Sequence, residues 1–335
     1  MPALSKPILF DQFKDALTAD GWVLAPLTSG MGLPRTYRLM RPGESADVRL
    51  YIWTLTHGGG GRAKDEWRIQ PTGVGPMFQV STDCTTLILG YEPERQVFAA
   101  FDIHAHSGVL GASPSFQIKE AALDAAVAHG LSPYLKASKE IAFGIRPDML
   151  GAYVRHSAQL HKTGLSAKDL YLLETIVADP DAISPADVDA AASTKRRQVL
   201  QTVLRTLRDS RFRSRVLTAY AHRCGFCAAQ LDLLDAAHVL PVGQPGSTDL
   251  VTNGVALCAL HHRAYDRGLV AFDTLFKIHL SASRHADLTA SGRDGGWSGF
   301  TDALAPELLG PAVQTHWPKP QMIKAANIHR GWSLT

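Results

Sequence analysis

Cys224 and Cys227 stand two residues apart, and Cys258 and His261 repeat that spacing about thirty residues later. Zinc takes four sulfur or nitrogen ligands in a tetrahedron, and a two-residue spacer lets each pair grip one ion. The chain has four cysteines, and three of them fall in this pattern; Cys84 stands alone in the N-terminal half. A redox pair is the competing reading of one C-x2-C. A second knuckle at this separation favours a structural zinc ion on Cys224, Cys227, Cys258 and His261. A disulfide framework does not suit a cysteine-poor chain of 335 residues in which no secretory signal is read.

A second set of polar residues is interleaved with the first. His238, Asn253 and His262 are spaced H-x14-N-x8-H. The apolar run 231–240 reads as a strand stopped by Pro241, and 242–248, with two glycines and a proline, reads as a loop. Residues 255–267 read as a short helix with Gly268 at its C-terminal end. On such a helix Cys258 and His261 share one face at i, i+3, while His262 and Asp266 share another at i, i+4. One helix then separates a structural metal from a second site.

Three segments resemble the HNH family of ββα-metal endonucleases. They are Ala236-Ala237-His238-Val239-Leu240-Pro241, Asn253-Gly254, and His262-Arg263-Ala264-Tyr265-Asp266-Arg267-Gly268. The resemblance covers about residues 208–275. It implies metal-dependent phosphodiester hydrolysis of double-stranded DNA. His238 would be the general base, Asn253 would orient the His238 loop or lie near the metal, and His262 would hold a magnesium or manganese ion. One position departs from the pattern. Many members carry Asp or His directly before the catalytic histidine, whereas this chain has Ala237. Asp235 and Asp266 are the two candidates for the missing ligand, since a hard cation wants carboxylate oxygen. The same departure keeps open a DNA-binding protein whose HNH fold is stabilised by zinc and catalytically idle; a non-specific nuclease or toxin is a third reading.

Net charge is only +3, so composition alone does not indicate a nucleic-acid partner. The distribution does: residues 195–223 carry Lys195, Arg196, Arg197, Arg205, Arg208, Arg211, Arg213, Arg215 and Arg223 against Asp209 alone. Beside a phosphate-cleaving motif, Arg211, Arg213 and Arg215 are read as DNA contacts. No apolar run reaches membrane-spanning length, no targeting segment is read, and no small-molecule substrate is indicated, so the expected setting is cytoplasmic. Cutting both strands favours a homodimer.

The expected fold class is α+β, in three parts: a β-rich DNA-recognition domain over 1–155, a helical connector over 156–194, and the zinc-containing endonuclease domain over 195–335. The N-terminal part reads as an amphipathic helix over 8–19 and strands over 48–56, 67–71, 86–91 and 97–103. A strand or cap follows at 116, then a helix over 121–129. A further helix is expected over 194–220, broken near Asp209-Ser210. Tyr51 to Thr56, Gly61 to Gln70 and Leu87 to Tyr91 resemble a plant-type (B-three) pseudobarrel found in certain restriction endonucleases. That resemblance covers about residues 35–150 and implies that Arg62, Lys64, Trp67, Arg68 and Gln70 lie near DNA. Asp102 with Gln117-Ile118-Lys119 faintly imitates the acid-glutamine-lysine arrangement of another nuclease fold.

Overall fold

The computed structural model describes residues 3–57, 61, 63–161, 167–192, 194–231 and 233–334. The chain divides into two compact units, Met1–Leu207 and Arg208–Thr335.

The first unit is built on a seven-stranded sheet. Helix α1 (Lys6–Ala19) leads into β1 (Val23–Pro26), β2 (Arg35–Arg41), β3 (Glu44–Thr54), β4 (Thr56–His57), β5 (Glu66–Ile69), β6 (Thr85–Glu92), β7 (Val97–Phe101) and β8 (Phe116–Lys119). Helix α2 (Glu120–His129), β9 (Leu131–Leu135) and β10 (Ile141–Ile145) follow. The large sheet runs β1-β2-β3-β6-β7-β10-β9, and β4-β5-β8 form a smaller one. All pairings in the large sheet are antiparallel except β3 with β6. Side chains alternate across a strand, and here both faces are covered. Val48, Leu50 and Ile52 of β3 enter one core, while Tyr51 and Trp53 enter the other. The same division separates Phe98 and Ala100 of β7 from Val97, Ala99 and Phe101. Such strands read as continuous apolar runs. Gly90 of β6 is required by this layering: a Cβ there would lie 2.6 Å from Ile69 of β5.

Helices α3 (Leu150–His161), α4 (Ala167–Ala178) and α5 (Pro185–Ala191) close the first core. Leu160, Leu173, Ile176 and Val188 from these helices are buried in it, so the described helices of the stretch read as a connector pack into the first unit. Helix α6 (Thr194–Ala219) is continuous through Asp209-Ser210, without the expected break. Arginine and serine cost little inside a helix, and apolar residues recur on one stripe on both sides of that point. Val199, Val203 and Leu207 serve the first core, and Phe212 and Val216 serve the second.

In the second unit β11 (Leu234–His238) pairs antiparallel with β12 (Gly254–Cys258), and α7 (Ala259–Asp266) follows directly. This corrects two expectations. The run 231–240 is strand only from Leu234, because Leu231 takes a positive φ and both it and Leu233 are exposed. Residues 255–257 are strand, not helix: Val255, Ala256 and Leu257 are fully buried against β11. A short apolar run does not distinguish the two by periodicity. Cys258 is consequently the residue capping α7, one step before its first turn. Strands β13 (Val270–Phe272) and β14 (Ile278–Leu280), then α8 (Ala282–Ala290), α9 (Trp297–Asp302) and α10 (Pro320–His329), complete the chain. Leu308, Ile323 and Ala326 bring this tail into the second core. No helix among the described residues is long and apolar enough to cross a membrane.

Candidate active site and metal centre

The zinc-type cluster is assembled by three pieces of chain. The turn holding Cys224 and Cys227 closes through Ala228 N–H donating to Cys224 O at 2.8 Å, with Ala228 in the left-handed region. Gly225 N–H donates to Ala256 O at 2.7 Å, pinning the turn to β12. Leu309 N–H donates to Gly225 O and Ala305 N–H to Phe226 O, so the C-terminal tail clasps the other side. The ligand atoms of Cys224, Cys227, Cys258 and His261 all lie within 4.8 Å of one another. His261 Nδ1 is 3.5 Å from Cys224 Sγ and 3.3 Å from Cys258 Sγ, and the Cys227 and Cys258 sulfurs are 4.0 Å apart. A tetrahedron of ligands about 2.0–2.3 Å from zinc has edges of about 3.3–3.8 Å, so these spacings fit the ion. Burial pushes all three thiols up and the His261 imidazole down. Thiolates are disfavoured there unless a divalent cation compensates them. A Cys3His cluster with this donor chemistry suits zinc.

His238 ends β11 opposite Gly254. Its Nε2 lies 3.0 Å from Asp249 Oδ1, and its ring stacks on Phe212 at 3.8 Å and 12°. Nδ1 has no hydrogen-bond partner among the described residues. The His238 ring holds the Asp249 carboxyl below the usual carboxylate range, against the opposing effect of burial, with Arg208 adding to the lowering. A carboxylate only accepts, so it fixes the ring proton on Nε2 and leaves the Nδ1 lone pair open. Sequence reasoning missed Asp249, which reaches His238 only through the fold of loop 240–248.

Asn253 is fully buried and its side chain is spent on that loop. Oδ1 accepts from Leu240 N–H at 2.8 Å, and Nδ2 donates to Thr248 O at 2.9 Å and Leu240 O at 3.1 Å. These bonds tie Leu240 and Thr248 to one another across the loop. Gly254 is glycine because α6 crosses it; a Cβ there would overlap Val216 and press on Phe212.

His262 has a carboxylate at each ring nitrogen. Nδ1 is 3.2 Å from Asp235 Oδ2, and Nε2 is 3.4 Å from Asp266 Oδ2. Asp235 and Ala237 share a face of β11 by strand alternation, and Ala237 is 1% exposed in the core. Asp235, unlike Ala237, is part-exposed, and its other oxygen lies 3.2 Å from Arg213. The 3.2 Å Asp235–His262 contact is that of a hydrogen bond, and it is also compatible with neighbouring ligands of an octahedral cation, which stand about 3.0 Å apart. Among the described residues no third His, Cys, Asp or Glu converges there. Magnesium tolerates this, because it keeps waters and takes its other ligands from substrate phosphates. Arg330 lies over the Tyr265 ring at 4.1 Å and donates to Val239 O at 2.7 Å. It also stands 3.8 Å from Asp266, tying the C-terminal tail to the residues around His238. Nothing in the sequence singled Arg330 out.

The arginines of α6 are less open than a basic run suggests. Arg213 is 3.2 Å from Asp235 and donates to Leu234 O at 2.8 Å. Arg196 pairs with Asp169 and Arg197 with Asp189. Arg211 is half-buried and Arg215 exposed, both with partners inside the protein.

In the first unit, Arg62 lies outside the described residues, as does the glycine run 58–60. Lys64 and Gln70 are exposed, and Trp67 and Arg68 are half-buried on β5. Trp67 packs edge-on against His57, with the Arg95 guanidinium 5.1 Å from its ring. Asp102 does not meet Gln117 or Lys119: Lys119 pairs with Asp65, while Asp102 faces a cavity beside α3.

Comparison with known proteins gives three findings. Residues 222–273 match a family described as HNH endonuclease, and residues 46–154 match one described as methylase-associated X1. No curated protein matches the chain. A solved structure titled "Modification dependent TagI restriction endonuclease" is similar at 12% identity, covering 83% of this chain and 80% of that one, with a TM-score of 0.28. The C-terminal unit thus carries an HNH endonuclease domain, and the N-terminal unit carries a methylase-associated X1 domain.

Proposed function

We propose that this HNH domain makes the chain a restriction-type DNA endonuclease in which His238 is the general base. The observation that carries the reading is the His238–Asp249 pair. Asp249 and Phe212 fix the imidazole in one orientation with Nδ1 available. A water placed at Nδ1 gives up its proton there as its oxygen attacks phosphorus, while the Nε2 proton stays hydrogen-bonded to Asp249 and steadies the imidazolium. Asn253 holds the loop that carries Asp249. The catalytic cation, magnesium or manganese, would be held by His262 Nδ1 and Asp235, with Asp266 bracing the second ring nitrogen. When bound, it stabilises charge on the phosphate and the leaving oxygen. Metal-bound histidines commonly donate their other N–H to a carboxylate, and Asp266 suits that role.

The N-terminal unit, in this reading, recognises a short DNA sequence, with Lys64, Trp67, Arg68, Gln70 and Arg62 as its candidate contacts. Arg211, Arg213 and Arg215 are the candidate phosphate contacts, with Arg213 already paired with Asp235. The methylase-associated description of the matched family makes a modified base the first substrate to try. Two hydrolytic centres are needed to cut both strands, so a homodimer is the working assembly, and the setting is cytoplasmic. Digestion of plasmid and genomic DNA, unmodified and methylated, with magnesium or manganese tests this. Metal-dependent nicking of at least one substrate is expected; intact DNA throughout would leave a zinc-stabilised binding protein instead.

A further inference from the structure

We propose that a cavity beside α3 in the N-terminal unit holds a nucleobase swung out of a duplex, with Asp102 accepting from its exocyclic amino group. The inference rests on the reading of the chain as DNA-acting. The cavity measures about 350 Å³, at the small end of ligand pockets, where a single ring system fits. Phe101 and Tyr153 form apolar walls, and Asp102, Ser157 and Thr86 supply polar atoms.

Asp102 is 3% exposed. One carboxylate oxygen accepts from His104 N–H at 2.9 Å, and no cation or second donor reaches it among the described residues. Both nitrogens of the neighbouring imidazole are engaged with other groups. His161 Nδ1 lies 2.7 Å from Ile141 O and Nε2 lies 2.8 Å from the Tyr153 hydroxyl. A carbonyl only accepts, so Nδ1 carries a proton, and burial pushes the imidazole down, against the opposing pull of Asp102. The Ser157 hydroxyl, 6% exposed, has no partner among the described residues, and Thr86 Oγ1 is buried without one. A buried, unpaired carboxylate is costly, and its natural complement is a ligand with N–H donors.

Other ligand classes fit worse. No three metal-ligating atoms converge here among the described residues. No lysine or arginine lines the space, which disfavours an anion. Asp47 at the mouth is already paired with Arg38, at 2.7 and 2.8 Å. Aspartate accepting from an amino group is a recognised base contact, and extruded bases are read by edge hydrogen bonds between apolar walls. Cytosine and adenine carry that amino group, with or without a methyl elsewhere; thymine does not.

Saturation-transfer NMR on the full chain, with 2′-deoxycytidine, 2′-deoxyadenosine and thymidine as probes, tests this. The first two should bind at millimolar concentration and thymidine should not. Asp102→Asn keeps the shape and should weaken binding at least about fivefold. Ala158→Phe, at an exposed position of α3 on the cavity lining, should abolish binding with unchanged thermal unfolding. Absence of binding to the wild type, or equal binding of all three probes to wild type and both variants, overturns the proposal. Nucleoside binding beside uncut plasmid would sink the nuclease reading and leave the pocket; nicked plasmid without nucleoside binding would do the reverse.

Discussion

At the residue scale the proposed chemistry turns on Asp249 and Asp235, which differ in how visible they are. His238 and His262 are legible from spacing, because strand and helix fix where such residues point. Asp249 is eleven positions from His238 and meets it only because Asn253 folds the intervening loop. No local pattern encodes that. Asp249→Asn replaces an acceptor-only group with an amide that can also donate, so it no longer sets the tautomer, and should slow cleavage about 10–100-fold with little effect on folding; an unchanged rate in single-turnover assays would remove Asp249 from the mechanism. The lowered Asp249 carboxyl also stabilises the fold above the ordinary carboxylate range, and that contribution is lost as pH falls through the lowered value. Asp235 and Asp266 separate by cation titration. Asp235→Asn should raise the magnesium or manganese concentration needed for half-maximal rate by an order of magnitude, whereas Asp266→Asn should shift it less. The reverse order would move the cation to His262 Nε2.

The elements divide along similar lines. Knuckle spacing is local and so is read directly. Strands buried on both faces, such as β3, β6 and β7, are visible as apolar runs. Strands β1 and β9 were not expected, and each contains a proline, Pro26 and Pro133. Both lie at the sheet's edges, where a missing N–H is tolerated, so the residue that hides them from pattern reading also marks their place. The zinc knuckles hold β12, α7 and the C-terminal tail together. Structural zinc contributes about 10–16 kcal/mol in zinc-finger peptides, while whole domains are stable by about 5–15 kcal/mol. Stripping zinc with a strong chelator should therefore unfold the second unit, seen as lost near-ultraviolet dichroism; retention of that signal with zinc gone would make the cluster dispensable. In the first unit, burial raises the Glu140 carboxyl, but His106 and Lys136 outweigh it and hold it at about 2. A depressed carboxyl stabilises above its unfolded value, so this contribution fades as pH falls from about 4.5 to about 2. Glu140→Gln should lower stability at neutral pH by roughly 2–3 kcal/mol, with the deficit shrinking in acid; urea titrations at the two pH values decide it.

For the molecule as a whole, net charge is +3 and several arginines of α6 are engaged inside the protein. Electrostatics alone then predicts modest DNA affinity, and recognition would rest on shape and base contacts in the N-terminal unit. The pairing of an HNH domain with a methylase-associated X1 domain was half legible. The nuclease half announces itself through fixed ligand spacings. The N-terminal half carries no such spacings, because its cavity walls are drawn from strands and helices distant in sequence. Whether His238 performs the chemistry is tested by the nicking rate of supercoiled plasmid by wild type and His238→Ala, with zinc content measured on both. Wild type should nick in magnesium or manganese, and the variant should lose about 10²–10⁴-fold while keeping its zinc. A zinc-loaded His238→Ala that nicks at the wild-type rate would contradict the account.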